Sequence, residues 1–295
     1  MKRIVTFFAI LAFGLSLSAQ TALPFIRIDR DPATSAMGGA QAVSALYNPA
    51  AVPFADHSNV LASLQRWAPN GASGLHLNAL GGIKIGTRLG LNVAAAYQGG
   101  EAYPVMDASG NSSGEFTPAE LFARIGAGYA VTDALSLGAS VQYASQSLAE
   151  GLGYSAVAAD AFLLYRNGGL SATAGIASVG AGVKSGSTTY PLPTSVAAGV
   201  AYETVFAETN GILAAADFDY FLSGGIGLAL GVQYAYDDMV FVRAGYHLGT
   251  EKAPIPSYAS IGLGGKFSGV RIDLSYLTAS PTLGGTFALG VGYAF

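Results

Sequence analysis

The residues able to do chemistry are few. Three histidines, His57, His76 and His247, stand far apart, with no two at the spacing of a metal-ligand pair, and there is no cysteine at all. A thiolate nucleophile, a thiolate metal site, a disulfide framework and an acylated cysteine are therefore excluded. No H-E-x-x-H, G-x-S-x-G or P-loop sequence occurs. The Gly-x-Gly pairs, such as Gly126-Ala127-Gly128 and Gly290-Val291-Gly292, lie within alternating segments and do not open a helix, which argues against a dinucleotide-binding turn. No catalytic residue, metal or cofactor is expected, and the protein is read as not an enzyme. A net charge of -4 without a run of like charges gives no footprint for nucleic acid.

The informative polar residues are eight charges set inside otherwise apolar or small-residue segments: Arg124, Asp160, Asp217, Asp219, Arg243, Lys266, Arg271 and Asp273. If those segments cross a membrane, each charge must face inward, because one on the lipid face near the midplane costs about 2–4 kcal/mol. They could line a polar lumen that binds or passes a solute, or form internal ion pairs that hold a wall or plug. The second is preferred, since intramembrane charges normally pair.

The elements that must position them follow from composition and period. The 295 residues are 51% hydrophobic and only 11% charged, against roughly 25% charged in soluble domains. The one uninterrupted apolar run, Ile4 to Leu17, is shorter than the about 20 residues of a spanning helix. With Lys2 and Arg3 before it and Ser16-Leu17-Ser18-Ala19-Gln20 after it, it reads as a signal peptide over residues 1–20. Beyond it, apolar and small residues alternate with the strand period of two. Leu135, Leu137, Ala139, Val141 and Tyr143 share one face of a segment whose other face carries Ser136, Gly138, Ser140, Gln142 and Ala144. Leu137 and Val141 should meet lipid, and Ser140 the lumen, where an arginine would be tolerated. A soluble sandwich would put Lys, Glu and Thr on its non-greasy face, whereas here that face is Gly, Ala and Ser.

The predicted fold is all-β, a transmembrane antiparallel up-and-down barrel of about fourteen strands at 57–67, 73–84, 86–98, 121–131, 134–146, 154–165, 169–178, 193–203, 211–222, 225–237, 238–249, 257–268, 269–278 and 285–295. Residues 21–56 are not strand-like and form an N-terminal hatch or plug segment; residues 57–295 are the barrel. With the N-terminus on the periplasmic side, the long connections 99–120, 147–153, 179–192, 250–256 and 279–284 fall outside and tight turns fall inside. Two connections disobey, a long inside one at 204–210 and a short outside one at Ser223-Gly224. Tyrosines at strand ends (Tyr97, Tyr129, Tyr143, Tyr165, Tyr202, Tyr236, Tyr246, Tyr276 and Tyr293) would form an interfacial girdle. The last strand ends Tyr293-Ala294-Phe295, and such a terminal aromatic resembles the signal read by the outer-membrane barrel assembly machinery.

Three short segments carry a more specific resemblance: Leu23-Pro24-Phe25-Ile26-Arg27-Ile28, Ala36-Met37-Gly38-Gly39-Ala40 and Asn48-Pro49-Ala50. They resemble the opening of the PorV/PorQ family, a branch of the FadL-like barrels. Val242-Arg243-Ala244-Gly245-Tyr246, Ile261-Gly262-Leu263-Gly264-Gly265 and Ile272-Asp273-Leu274-Ser275-Tyr276 resemble its distal strands. The resemblance implies a fourteen-stranded barrel with a hatch whose motif residues are Met37, Gly38, Gly39, Asn48, Pro49 and Ala50. It also implies service to protein secretion of the type IX kind, with secretion subunits or the C-terminal domains of secreted cargo as partners. The alternative is a FadL-like channel for uptake of small hydrophobic solutes, suggested by a lumen of Gly, Ala and Ser. Either way the expected place is the cell outer membrane, in contact with its lipid.

Overall fold

Strict alternation leaves each segment with one face that must avoid water and one that cannot pack deeply, and closing such strands on themselves satisfies every backbone group without leaving an edge. A computed structural model of the chain, describing residues 21–70, 74–106 and 112–295, shows that solution; the expected signal peptide lies outside the described residues. Fourteen antiparallel strands form a closed barrel: β1 (Asn59–Trp67), β2 (Gly74–Ile85), β3 (Leu89–Gly100), β6 (Ala119–Ala130), β7 (Leu135–Ala149), β8 (Leu152–Asn167), β9 (Leu170–Gly180), β12 (Ser195–Phe206), β13 (Asn210–Phe221), β14 (Ile226–Tyr236), β15 (Val240–Gly249), β16 (Tyr258–Phe267), β17 (Val270–Thr278) and β18 (Phe287–Ala294). The order is sequential, and β1 pairs with β18 to close the ring, Leu64 opposite Leu289 and Val60 opposite Tyr293. Beside the seam, Ser58 and Phe295 exchange backbone hydrogen bonds of 3.1 and 3.0 Å. This end of the barrel is called the terminal rim, and the opposite end the far rim.

The outward face is apolar across the middle of the barrel. Leu137 and Val141 are each 52% exposed, and Ile125, Val157, Ile261 and Leu263 are exposed with them. A continuous apolar surface of this extent on a closed barrel is covered by lipid, so the strands span a membrane. All nine tyrosines expected in the girdle are exposed on this outer surface. No helix among the described residues is long and apolar enough to cross a membrane.

Differences from the sequence reading concentrate in the connections. The stretch 204–210 is not a long loop, because β12 runs on to Phe206 and pairs with Asn210 at the start of β13. The intervening turn is tight, with Ala207 and Glu208 at positive φ of 48° and 62°. Likewise 147–153 is mostly strand: β7 and β8 continue until Ala149 opposes Leu152. The connections read as loops at 99–120 and 179–192 each carry a small hairpin, β4 (Tyr103–Met106) with β5 (Ser112–Phe116) and β10 (Val183–Ser185) with β11 (Thr188–Tyr190). At the terminal rim, Ser268-Gly269 joins β16 to β17 in two residues with φ of 50° and 82°, the left-handed pair whose twist suits a hairpin.

Residues 21–56 thread the lumen in short helical turns. A 3-10 turn at Pro24–Arg27 is followed by one α-turn at Pro32–Ser35, where Asp31 accepts from Ala33 N, and by a 3-10 turn at Pro49–Phe54, where Asn48 accepts from Ala50 N. In each, a proline fixes the first helical φ, and at the last two Asp or Asn supplies the cap. The segment begins at the far rim, where Ala22 N donates to Pro191 O at 2.8 Å, and leaves at the terminal rim beside Ser58. Its apolar start, Leu23, Phe25, Ile26 and Ile28, is buried with Leu46, Phe122, Val183 and Leu192.

Candidate functional site

The candidate site is the lumen, where the inward face of the wall meets the N-terminal segment. Small residues on that face are what let a chain lie against it. A Cβ on Gly128 would stand 1.9 Å from Pro49 O, and one on Gly138 2.2 Å from Ala50 N. At the other side Gly231 and Gly245 give way to Met37, a Cβ on Gly245 standing 2.1 Å from Gly38 N. The sequence reading identified these small residues as lumenal but missed their purpose, which is close backbone approach.

The eight strand charges fall into distinct settings. Arg271 reaches across to the segment and donates through Nη2 to both Asp31 oxygens at 3.1 and 3.2 Å. Its Nε lies 2.5 Å from Asp273, which Arg243 also meets at 2.6 Å, so that two arginines and two aspartates form one chain of ion pairs. Arg243 further donates to Gln233. Asp219 pairs with Arg27 at 2.7 Å and accepts from Ser195. Asp217 accepts the backbone N–H groups of Gln41 and Ala42 at 2.6 and 2.7 Å. Arg124 donates to Leu46 O at 2.9 Å and lies over the Tyr47 ring. Asp160 holds the wall itself, accepting from Ser140, Gln142 and Ser178 N where β9 bulges against β8. Lys266 stands at the terminal rim and pairs with Asp238 of the exposed turn before β15, away from the segment. Near the same rim Arg166 and Lys84 cap Phe54 O and Ala55 O, the carbonyls at which the segment ends. The rings of Tyr293 and Phe295 stack on the outer surface beside the seam, 5.9 Å between centroids.

Of the hatch motif residues, Met37 and Gly38 pack on Gly231 and Gly245, with Gly38 N donating to Ser260 Oγ at 2.9 Å. A Cβ on Gly39 would sit 3.0 Å from Tyr258 Oη. Asn48 donates to Ala42 O and Thr173 Oγ1, and Pro49 and Ala50 lie on the glycines of β6 and β7.

Several functional side chains were not singled out from sequence, foremost Asp29, Arg30 and Tyr47. Asp29 accepts from Tyr47 Oη and from Thr34 Oγ1, and burial pushes its carboxyl up to about 7 against the opposing pull of the Tyr47 hydrogen bond. Arg30 is wrapped by Phe25 O, Ile26 O and Ile28 O and lies over the Phe122 ring, 4.0 Å to the centroid; burial lowers its guanidinium to about 10. The signal for them was the run Asp29-Arg30-Asp31 inside an apolar segment, a pattern that only a buried polar network tolerates. Between the segment and the inward faces of strands β6–β9 and β12–β16 lies a cavity of about 110 Å³ that Asp29, Gln41, Arg124, Asp217 and Phe221 help to line.

No family model and no curated relative matches the chain. Solved structures do share its fold. The toluene transporter TbuX of Ralstonia pickettii superposes with a TM-score of 0.59 at 14% identity, over 90% of this chain and 97% of that one. The CymD monoaromatic hydrocarbon channel gives 0.58 at 16% identity, over 90% and 97%. A FadL homologue of Pseudomonas aeruginosa gives 0.52 at 12% identity, over 90% and 98%.

Proposed function

We propose that the chain is an outer-membrane barrel that carries small, largely apolar solutes across that membrane, with residues 21–56 as its hatch and the terminal rim toward the periplasm. The observation that carries this reading is a lumen stoppered by the chain's own segment, whose apolar start, Leu23, Phe25 and Ile26, packs with Val183 and Leu192 toward the far rim. A water-filled porin lumen is polar throughout and is not filled in this way. The solved structures of similar fold support it, since those proteins are described as a toluene transporter and a monoaromatic hydrocarbon channel. The test is accumulation of labelled toluene by cells lacking the protein against complemented cells. Slower uptake that complementation restores is expected; equal uptake sinks the reading.

A second reading, a component of type IX-like secretion or surface attachment, is favoured by the PorV/PorQ resemblance of the segments 23–28, 36–40 and 48–50, all of which build the hatch. A detergent pull-down that recovers a secretion subunit or a cargo C-terminal domain would support it, and recovery of lipid alone counts against it.

A further inference from the structure

The hairpin of β9 and β12 breaks before it reaches its tip. The two strands pair from Leu170 opposite Tyr202 up to Ala177 opposite Ser195. Beyond a short gap β10 and β11 pair as the end of the same hairpin, Val183 opposite Tyr190 and Ser185 opposite Thr188. The gap has a physical cause. One side of it is Gly180-Ala181-Gly182 and the other Pro191-Leu192-Pro193. Glu203 N donates to Gly169 O, so odd-numbered positions in line with β12 aim their N–H groups toward β9, and Pro191 and Pro193 have none to give. At this break the hairpin is folded in over the far rim. Val183 and Leu192 are buried with Leu23 and Phe25 of the hatch, Pro191 O accepts from Ala22 N at 2.8 Å, and Tyr154 Oη meets Ser185 Oγ at 2.9 Å.

Beside the folded hairpin the wall has a free edge. β8 pairs with β7 as far as Leu152, but β9 stops pairing at Gly180 opposite Ala158, so residues 152–157 have no strand on their β9 side. The carbonyl of Val157 aims across that side, a Cβ on Gly180 standing 2.3 Å from it. By alternation Gly153 and Ser155 present their N–H and C=O groups there, with no backbone partner among the described residues. The stretch Leu-Gly-Tyr-Ser-Ala-Val holds neither a charge nor a proline, the devices that blunt an exposed edge. Above their bulge β8 and β9 pair Ala159 with Val179 and Ala158 with Gly180. Continued in that register, Val183 falls opposite Ser155 and Ser185 opposite Gly153. β10 therefore has the length to fill the edge, and the glycines before it have the freedom to turn it there.

We propose that β10–β11 is a hinged lid over the far-rim mouth, shut when folded onto the hatch and open when β10 swings out to extend β9 along the free edge of β8. The swing exchanges the buried contacts of Val183 and Leu192 for ladder hydrogen bonds to Gly153 and Ser155, and it uncovers Leu23 and Phe25. A small apolar solute seated on those side chains takes the place of the lid and so favours the open position. The inference rests on the reading of the lumen as a solute path and supplies its outer gate.

The chain has no cysteine, so engineered pairs report the open position directly. Val183 is buried inside the far rim, whereas Ser155 is exposed on the outer face with Val157. Only the open ladder sets the two opposite each other, about 5.5 Å apart between Cα atoms and within disulfide reach. In the whole mature protein in detergent, Ser155→Cys with Val183→Cys should cross-link under mild oxidation roughly tenfold faster than Ser155→Cys with Lys184→Cys, a pair that the ladder points to opposite faces. Toluene should speed the matched pair further. Cross-links are read by loss of maleimide labelling, and folding by heat-modifiable gel migration. If Val183→Cys does not fold, Gly153→Cys with Ser185→Cys carries the test, since a Cβ on Gly153 meets only Gln146 O at 3.6 Å; its mismatched control is Gly153→Cys with Lys184→Cys. No cross-link in folded protein, equal rates in matched and mismatched pairs, or a rate that toluene leaves unchanged overturns the lid. Toluene uptake by cells is measured separately, so the lid can fail while solute carriage stands.

Discussion

At the residue scale, the lumen is governed by atoms that are missing and charges that are placed. Gly128 and Gly138 leave room for Pro49 and Ala50, so Gly128→Val should push the hatch off the wall while the strand, whose outer face is unchanged, still forms. The expected outcome is a folded, heat-modifiable barrel whose residues 45–54 exchange amide hydrogens much faster than in the parent. Asp29 offers a pH-dependent counterpart. Its carboxyl is raised by burial from 3.8 to about 7, so the docked hatch holds more protons than the undocked one between those values. Docking is then strongest below about pH 4 and weakens as pH rises toward 7, the reverse of an ion-paired carboxylate. Around Asp29 stand Arg30, Asp31, Tyr47, Tyr258 and His247. Hydrogen exchange of residues 25–35, corrected for intrinsic rates, should show more protection at pH 5 than at pH 8, and Asp29→Asn should flatten the difference. A profile unchanged by that substitution would assign the dependence to another group.

At the element scale, β7 fixes the sidedness of the wall. Leu137→Arg or Val141→Arg places a charge in lipid and should cost about 2–4 kcal/mol, seen as loss of the heat-modifiable folded form. Alternation alone suggested that Ser140→Arg would be tolerated. Instead Ser140 is 4% exposed, donates to Asp160 Oδ2 at 2.6 Å and sits against Gly126 near Pro49. Ser140→Arg should therefore impair folding as well, and Ser140→Ala should be mild; tolerance of the arginine would mean that the hatch leaves that wall readily. The strands were legible because period two is written locally into each of them. The reach of β12 to Phe206 was not, because Glu203-Thr204-Val205-Phe206 has no apolar alternation and is held by its pairing with β13. The candidate site was half legible. Charges within strands announce an inward direction, but which of them meet the hatch depends on how a separate segment of turns is folded, and Asp29 and Arg30 gain their meaning only once buried beside Tyr47 and Phe122.

At the scale of the whole molecule, the barrel and its stopper are one chain, and removing the second should change what the first lets through. Deletion of residues 23–50 is expected to convert a closed barrel into a conducting one, with discrete single-channel steps in planar bilayers. Unchanged conductance would show that the segment does not block the lumen. The direction of that segment has another consequence. Its start bonds to Pro191 at the far rim, while its end bonds to the closing strand at the terminal rim, so the ring of strands encircles a cord already passed through it. A cord cannot be drawn through a finished ring if its leading end carries a knot. A stably folded domain fused immediately before Ala22 should thus stall maturation with the β1–β18 seam unzipped, whereas an unstructured peptide tag of the same length should thread through and become reachable by antibody on intact cells.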